Sequence, residues 1–233
     1  MKVTYVDHMG DDLAVVNAAR VSFGKKSSYK VVDHVKGKKV LSEGDENLIK
    51  YLGSHKHYSP FGHSFISIHV KAPIFVARQL VKHKFLRWNE ISRRYVDDKP
   101  EFYQVETWRG KSEDKKQGSS GEVDISTYNL NGEHAGDWWW ESLEHAVDYT
   151  ERRALENYTH LIDIGVAPEQ ARMVLPQNTY TEWYWSGSLD AFASMCNLRC
   201  KEDTQYETRL VADMVDEIIS PLFPHSWKAL RDD

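Results

Sequence analysis

Cysteine is scarce in this chain: Cys196 and Cys200 are the only two among 233 residues. That scarcity does not support a disulfide framework, and a reducing, cytoplasmic setting is expected. No run of about 18 apolar residues occurs, so no membrane-spanning helix is expected. The opening Met1-Lys2-Val3-Thr4-Tyr5-Val6-Asp7 lacks the apolar stretch of a signal peptide. Gly-x-Gly-x-x-Gly is missing, which removes the usual dinucleotide-binding fold from consideration. Positive net charge is also missing. The formal balance is -5, which argues against a general nucleic-acid coat.

What is present is an ordinary globular balance, 41% apolar and 28% charged, in a chain long enough for its own core. No internal repeat is found, and residues 1–233 read as a single domain. Residues 2–9 predict a short strand. Leu13, Val16 and Val21 mark a helix over 11–22, and 24–40 reads as a Lys-, Ser- and Gly-rich loop. Ser42 suits the cap of a helix reaching about His55. From His63 to Lys71 the chain alternates strictly, with Ile66, Ile68 and Val70 on one face, as in a half-buried strand. Pro73 suits the first turn of a helix expected to run to Leu86.

Residues 109–122 read as a polar loop. The longest helix is expected over 141–164, ended by Gly165, with a short one from Pro168 to Leu175. A strand over 179–186 and helices over 188–199 and 204–219 complete the pattern. It is an α+β fold: a small antiparallel or mixed sheet flanked by several long helices, without βαβ alternation.

Charge is uneven along the chain. Between positions 82 and 94 stand Lys82, Lys84, Arg87, Arg93 and Arg94 against one acid, Glu90. A basic cluster in an acidic protein points to a small anionic ligand, to a solvated helix end, or to a nucleic-acid-binding patch. The neighbouring Gln79, His83, Asn89 and Ser92 add uncharged donors and acceptors. Forked donors for phosphate beside acceptors for N–H groups are what a nucleotide requires.

Lys82-His83-Lys84, seven residues, then Ser92 resembles the signature of the flavin-dependent thymidylate synthases, Arg-His-Arg, seven residues, Ser. The longer form of that signature is similar at Asn89, Glu90 and Arg94; lysines stand in place of its arginines at 82 and 84, and Arg87 in place of a serine. Further resemblance lies in His57-Tyr58-Ser59-Pro60-Phe61, in the lead-in from His69 to Gln79, in Ala171-Arg172-Met173-Val174-Leu175-Pro176 and in Asn197-Leu198-Arg199. These blocks occur in the family's order over residues 4–210.

The resemblance implies reductive methylation of dUMP to dTMP by a homotetramer, with FAD between subunits. It implies NADPH and 5,10-methylenetetrahydrofolate as co-substrates, and neither nucleic acid nor membrane as partner. By similarity, FAD would meet Ser59, Lys82, His83, Lys84, Glu90, Ser188 and Ser194, and dUMP would meet Gln79, Lys82, Glu90, Ser92, Arg93, Arg94, Arg172 and Arg199. Arg199 would be the catalytic residue, stabilising negative charge on the uracil ring. Asp203 stands where many members have His. No enzyme cysteine is required, so Cys196 and Cys200 read as packing residues.

Three other readings follow from particular residues. His55, His57, His63 and His69 could ligate zinc, although no acid or cysteine lies nearby at characteristic spacing. Trp138-Trp139-Trp140 suggests base stacking or, better, packing against another helix or subunit. Lys82, Lys84 and Arg87 could also mark a catalytically altered paralogue with the same fold.

Overall fold

Capping and alternation act where the sequence places them. The computed structural model describes residues 1–33, 37–96, 98–112, 118–125 and 143–231. The elements run β1 (Lys2–Met9), α1 (Asp12–Arg20), β2 (Lys30–Asp33), β3 (Lys38–Val40), α2 (Glu43–Ser54), β4 (Phe65–Pro73), α3 (Ile74–Leu80) and β5 (Leu86–Glu90). They continue with β6 (Arg109–Lys111), β7 (Ser119–Glu122), α4 (Leu143–Asp163), α5 (Pro168–Ala171), β8 (Tyr180–Ser188), α6 (Leu189–Arg199), α7 (Tyr206–Ile219) and α8 (Pro224–Arg231). One sheet has the strand order β1-β4-β8-β5, and β2–β3 and β6–β7 are antiparallel pairs. The architecture is α+β.

The chain divides into two compact units: Met1, Lys71–Arg78 and Glu90–Glu182 form one, and Lys2–Val70, Gln79–Asn89 and Trp183–Asp233 the other. The second unit holds most of the apolar core. Ile66, Ile68 and Val70 are buried on one face of β4, as the alternation predicts. Trp183 and Trp185 of β8 are buried; Trp88 stacks on Trp183 at 4.2 Å and Phe192 meets Trp185 edge-on at 5.5 Å. Such aromatic pairs contribute about 0.5–1.5 kcal/mol each beyond area burial.

Asp11 caps α1 by accepting the Ala14 N–H at 2.8 Å, and Ser42 caps α2 by accepting that of Asp45 at 3.2 Å. Buried Asp12 accepts the N–H groups of His225 and Ser226 at 3.0 and 2.8 Å, satisfying the first turn of α8 from the other end of the sequence. In the first unit, Gly165 takes φ +86 just after α4, the left-handed conformation that ends a helix cheaply only at glycine.

Several expectations need correction. The loop read over 24–40 contains the hairpin β2–β3, and α8 has no counterpart in the sequence reading. The described ends of the 109–122 stretch pair as β6 and β7 rather than looping freely. The helix expected to reach Leu86 stops at Leu80. There the chain turns, and Phe85 takes φ +68, a left-handed conformation costing roughly 1–2 kcal/mol for a side chain of this kind. Sheet pairing overrides the helix: β5 lies so close to β8 that a Cβ on Gly187 would sit 2.4 Å from Leu86 Cδ2. Trp138-Trp139-Trp140 and residues 113–117 lie outside the described residues.

Candidate active site

The motif turn belongs to the second unit. The His83 N–H donates to the Leu80 carbonyl at 3.1 Å, closing the turn that follows α3. At the end of α6, Arg199 Nε donates to His83 Nε2 at 3.0 Å. An arginine is always protonated, so Nε2 must be the bare nitrogen and the imidazole must carry its proton on Nδ1. Burial, and then the charge of Arg199, push the His83 pKa down to about 4. Burial likewise lowers that of Arg199 from its ordinary value. The imidazole is therefore neutral near pH 7.

Three residues before the turn's first lysine, Gln79 Nε2 donates to Gln205 Oε1 in the α6–α7 connection. Lys82 and Lys84 are exposed. Ser59 opens the 3-10 turn Ser59–His63 and is exposed; Ser188 precedes α6, and Ser194 is exposed on it. Next to Ser188, Asp190 presents a buried Oδ1 with no partner among the described residues, 3.9 Å from where a Cβ on Gly62 would lie.

The remaining predicted residues belong to the first unit. Glu90 Oε1 accepts the hydroxyl of buried Thr181 at 2.6 Å, and the next amide, of Ile91, donates to the Glu182 carbonyl at 2.8 Å. This ties the residues after β5 to the start of β8. Ser92 Oγ accepts both the backbone N–H and Nε of Arg94, each at 3.3 Å. A hydroxyl that accepts from Arg94 keeps its own O–H to donate, so the pair offers a hydroxyl and a guanidinium together, the donor set a phosphate takes. Arg93 is turned to Asp98, whose carbonyl and Oδ1 accept its NH1 at 2.8 and 3.2 Å. Arg172 is exposed on the 3-10 turn Arg172–Val174 and bonds the Glu169 carbonyl at 3.2 Å.

The structure thus joins His83 to Arg199 in one unit and Ser92 to Arg94 in the other. Thr181, Gln205 and Asp98 hold the neighbouring Glu90, Gln79 and Arg93, and nothing in the sequence marks them. The cysteines have a structural setting. Burial pushes the Cys196 thiol well above its ordinary value, and Cys196 Sγ lies 3.8 Å from the Ala212 carbonyl. The Sγ atoms of Cys196 and Cys200 and an Asp216 oxygen lie within 4.8 Å of one another. Asp216 Oδ1, however, already accepts from Trp227 Nε1 at 3.0 Å and Arg231 Nε at 2.8 Å, which puts a guanidinium where a cation would sit. Of the histidines weighed for zinc, His55 and His57 lie 6.2 Å apart between ring centroids, and His55 stacks on Tyr51.

Residues 4–225 match the family described as Thymidylate synthase complementing protein. A flavin-dependent thymidylate synthase of Thermus thermophilus is 39% identical over 230 residues, covering 99% of this chain and 75% of that protein. This chain belongs to the flavin-dependent thymidylate synthase family. A second member, from Kosmotoga olearia, is 35% identical over 227 residues, with 97% and 88% covered. Among solved structures, the UMP/dUMP methylase PolB from Streptomyces cacaoi, bound with 5-Br dUMP, shares the fold at a TM-score of 0.68 and 28% identity. That likeness covers 98% of this chain and 93% of the methylase. These relationships lend no support to a nucleic-acid-binding module built on the Lys82–Arg94 patch.

Proposed function

We propose that this chain carries out the reaction of its family, the flavin-dependent methylation of dUMP to dTMP. The observation that carries the reading is family membership over nearly the whole chain, joined to a neutral histidine and a charged arginine held together at the motif.

Ser92 and Arg94 donate to the dUMP phosphate, helped by Arg93, Arg172 and Lys82. Gln79 and Glu90 provide amide and carboxylate partners for the sugar and base. Arg199 lies against the uracil carbonyl and N3, where its charge stabilises the electron-rich ring and makes C5 nucleophilic. Proton and charge placement support this role. His83 stays neutral beside Arg199, and among the described residues no carboxylate pairs with the arginine, whose charge remains available to the substrate.

A flavin fits the donor set of the same segments. Lys82 and Lys84 supply cations for a pyrophosphate, Ser59, Ser188 and Ser194 supply hydroxyls, and His83 and Glu90 supply further polar groups. The unpartnered, buried Asp190 Oδ1 beside Ser188 is an acceptor of the kind that a sugar hydroxyl satisfies. We assign the flavin as FAD. When bound and reduced, it supplies the hydride that completes the methyl group. NADPH as reductant, 5,10-methylenetetrahydrofolate as one-carbon donor, a homotetramer and a cytoplasmic setting complete the proposal. The single-domain reading belongs to it as well: β4, β5 and β8 each run through the boundary between the units, so neither unit is one separable stretch of chain.

The test is the visible spectrum of the purified chain, followed by chromatography of the released chromophore. A yellow protein releasing FAD is expected. A colourless protein that takes up no added FAD would defeat the cofactor assignment.

A further inference from the structure

The Arg199–His83 bond does more than neutralise a contact. Arginine has a long, rotatable stem, and a guanidinium engaged only through its terminal groups keeps freedom to swing. Here the bond is made at Nε, the one nitrogen inside the stem. A planar guanidinium held at Nε has its plane and tilt set, while both terminal NH2 groups stay uncommitted to other side chains among the described residues. The partner comes from the motif turn, 116 residues away, so the geometry does not depend on α6 alone. The turn is itself held by the His83 N–H to the Leu80 carbonyl, and the end of α3 before it by Gln79 to Gln205.

We propose that His83 is a positioning residue for Arg199: its bare Nε2 accepts the Arg199 Nε–H and fixes the plane in which the two terminal NH2 groups meet the pyrimidine of the substrate. The proposal rests on the reading that Arg199 faces the uracil of dUMP. A neutral imidazole is required, because a protonated one would have no acceptor to offer and would set two cations about 3 Å apart. The Nδ1–H is left as a donor for a second acceptor, so a flavin contact by the same ring is compatible with this role.

Five proteins test it: the unaltered chain, His83→Leu, His83→Gln, Arg199→Ala, and His83→Leu made in the Arg199→Ala background. Binding of dUMP is measured by calorimetry and turnover by dTMP formation. A misplaced catalytic group costs on the order of 10–100-fold. His83→Leu is therefore expected to lose that much in kcat and roughly tenfold in dUMP affinity. His83→Gln, whose amide oxygen can accept the same N–H, is expected to recover most of both.

In the Arg199→Ala background, His83→Leu is expected to cost nothing further in dUMP affinity, since the residue it serves is gone. A penalty of undiminished size in that background would overturn the proposal, as would His83→Leu working like the unaltered chain. Nitrogen NMR of the His83 ring reads the bond without reference to dUMP. A neutral ring protonated on Nδ1 is expected at pH 7, and its pKa is expected to climb toward 6.5 when Arg199 is removed. If the NMR result holds and the unaltered chain binds no dUMP, the substrate reading has failed and takes the proposal with it, while the bond stands. If the ring is charged or protonated on Nε2 at pH 7, the proposal fails by itself.

Discussion

Acid should destabilise this protein in a window set by His83. In the unfolded chain a histidine titrates near its ordinary 6.5, whereas in the folded protein burial and the Arg199 charge hold it near 4. Between those values the unfolded chain binds a proton that the folded chain refuses. Stability from this group is therefore full above about 6.5 and is lost as the pH falls toward 4. The sign is that of a buried neutral base, for which protonation favours unfolding. At full strength the difference corresponds to roughly 3 kcal/mol. The ring is only partly buried, and solvent screening leaves about 1–2 kcal/mol.

The assay is urea unfolding of the unaltered chain and His83→Gln at pH 7 and pH 4.5. The difference between the two proteins is expected to shrink by about 1–2 kcal/mol on acidification. Taking the difference cancels other acid-sensitive groups. One is Asp45, whose carboxyl is pushed up by burial but held below its ordinary value by hydrogen bonds from Ser42, Ser27 and Arg20. Equal pH dependence in the two proteins would refute the reasoning about the Arg199–His83 pair.

Arg199→Ala is expected to lower kcat by on the order of 10²–10³ while the protein keeps its flavin, because an electrostatic group acting on developing charge is removed; the visible spectrum and dTMP formation read the two effects separately. Thr181→Val keeps the shape of a buried side chain but removes the hydrogen bond to Glu90. It should raise the KM for dUMP severalfold with kcat little changed, as steady-state kinetics would show. Gly187→Ala would drive a methyl group into Leu86 and the Phe85 carbonyl, at 2.4 and 3.1 Å. A loss of about 1–3 kcal/mol, seen as a Tm lower by several degrees, is expected.

Local signals in this sequence report local structure faithfully. The alternation from Ile66 to Val70, the cap at Ser42 and the stop at Gly165 are each decided within a few residues, and each is realised. The end of α3 is decided elsewhere. Lys82, His83 and Lys84 read as a helix terminus, but β5 must reach β8, whose Gly187 lies 101 positions beyond Leu86 and leaves room for that approach. The pair β2–β3 leaves little mark in the sequence, because a Lys- and Gly-rich stretch carries little apolar alternation. The first turn of α8 is capped by Asp12, more than 200 residues away, a partner no local pattern can announce.

The candidate site divides in the same way. His83, Glu90, Ser92, Arg94 and Arg199 stand out by motif resemblance. That Arg199 donates from Nε, that His83 must be neutral, and that Ser92 accepts from Arg94 are facts of packing. Thr181 and Gln205 are ordinary residues in ordinary surroundings until the fold brings Glu90 and Gln79 to them.

The central claim is tested most directly by incubating the purified, flavin-loaded chain with dUMP, 5,10-methylenetetrahydrofolate and NADPH, and following dTMP by chromatography. Steady formation of dTMP, dependent on all three and abolished by omitting the flavin, is the predicted result. No dTMP at saturating flavin and substrates, from a protein shown to be folded, would contradict it.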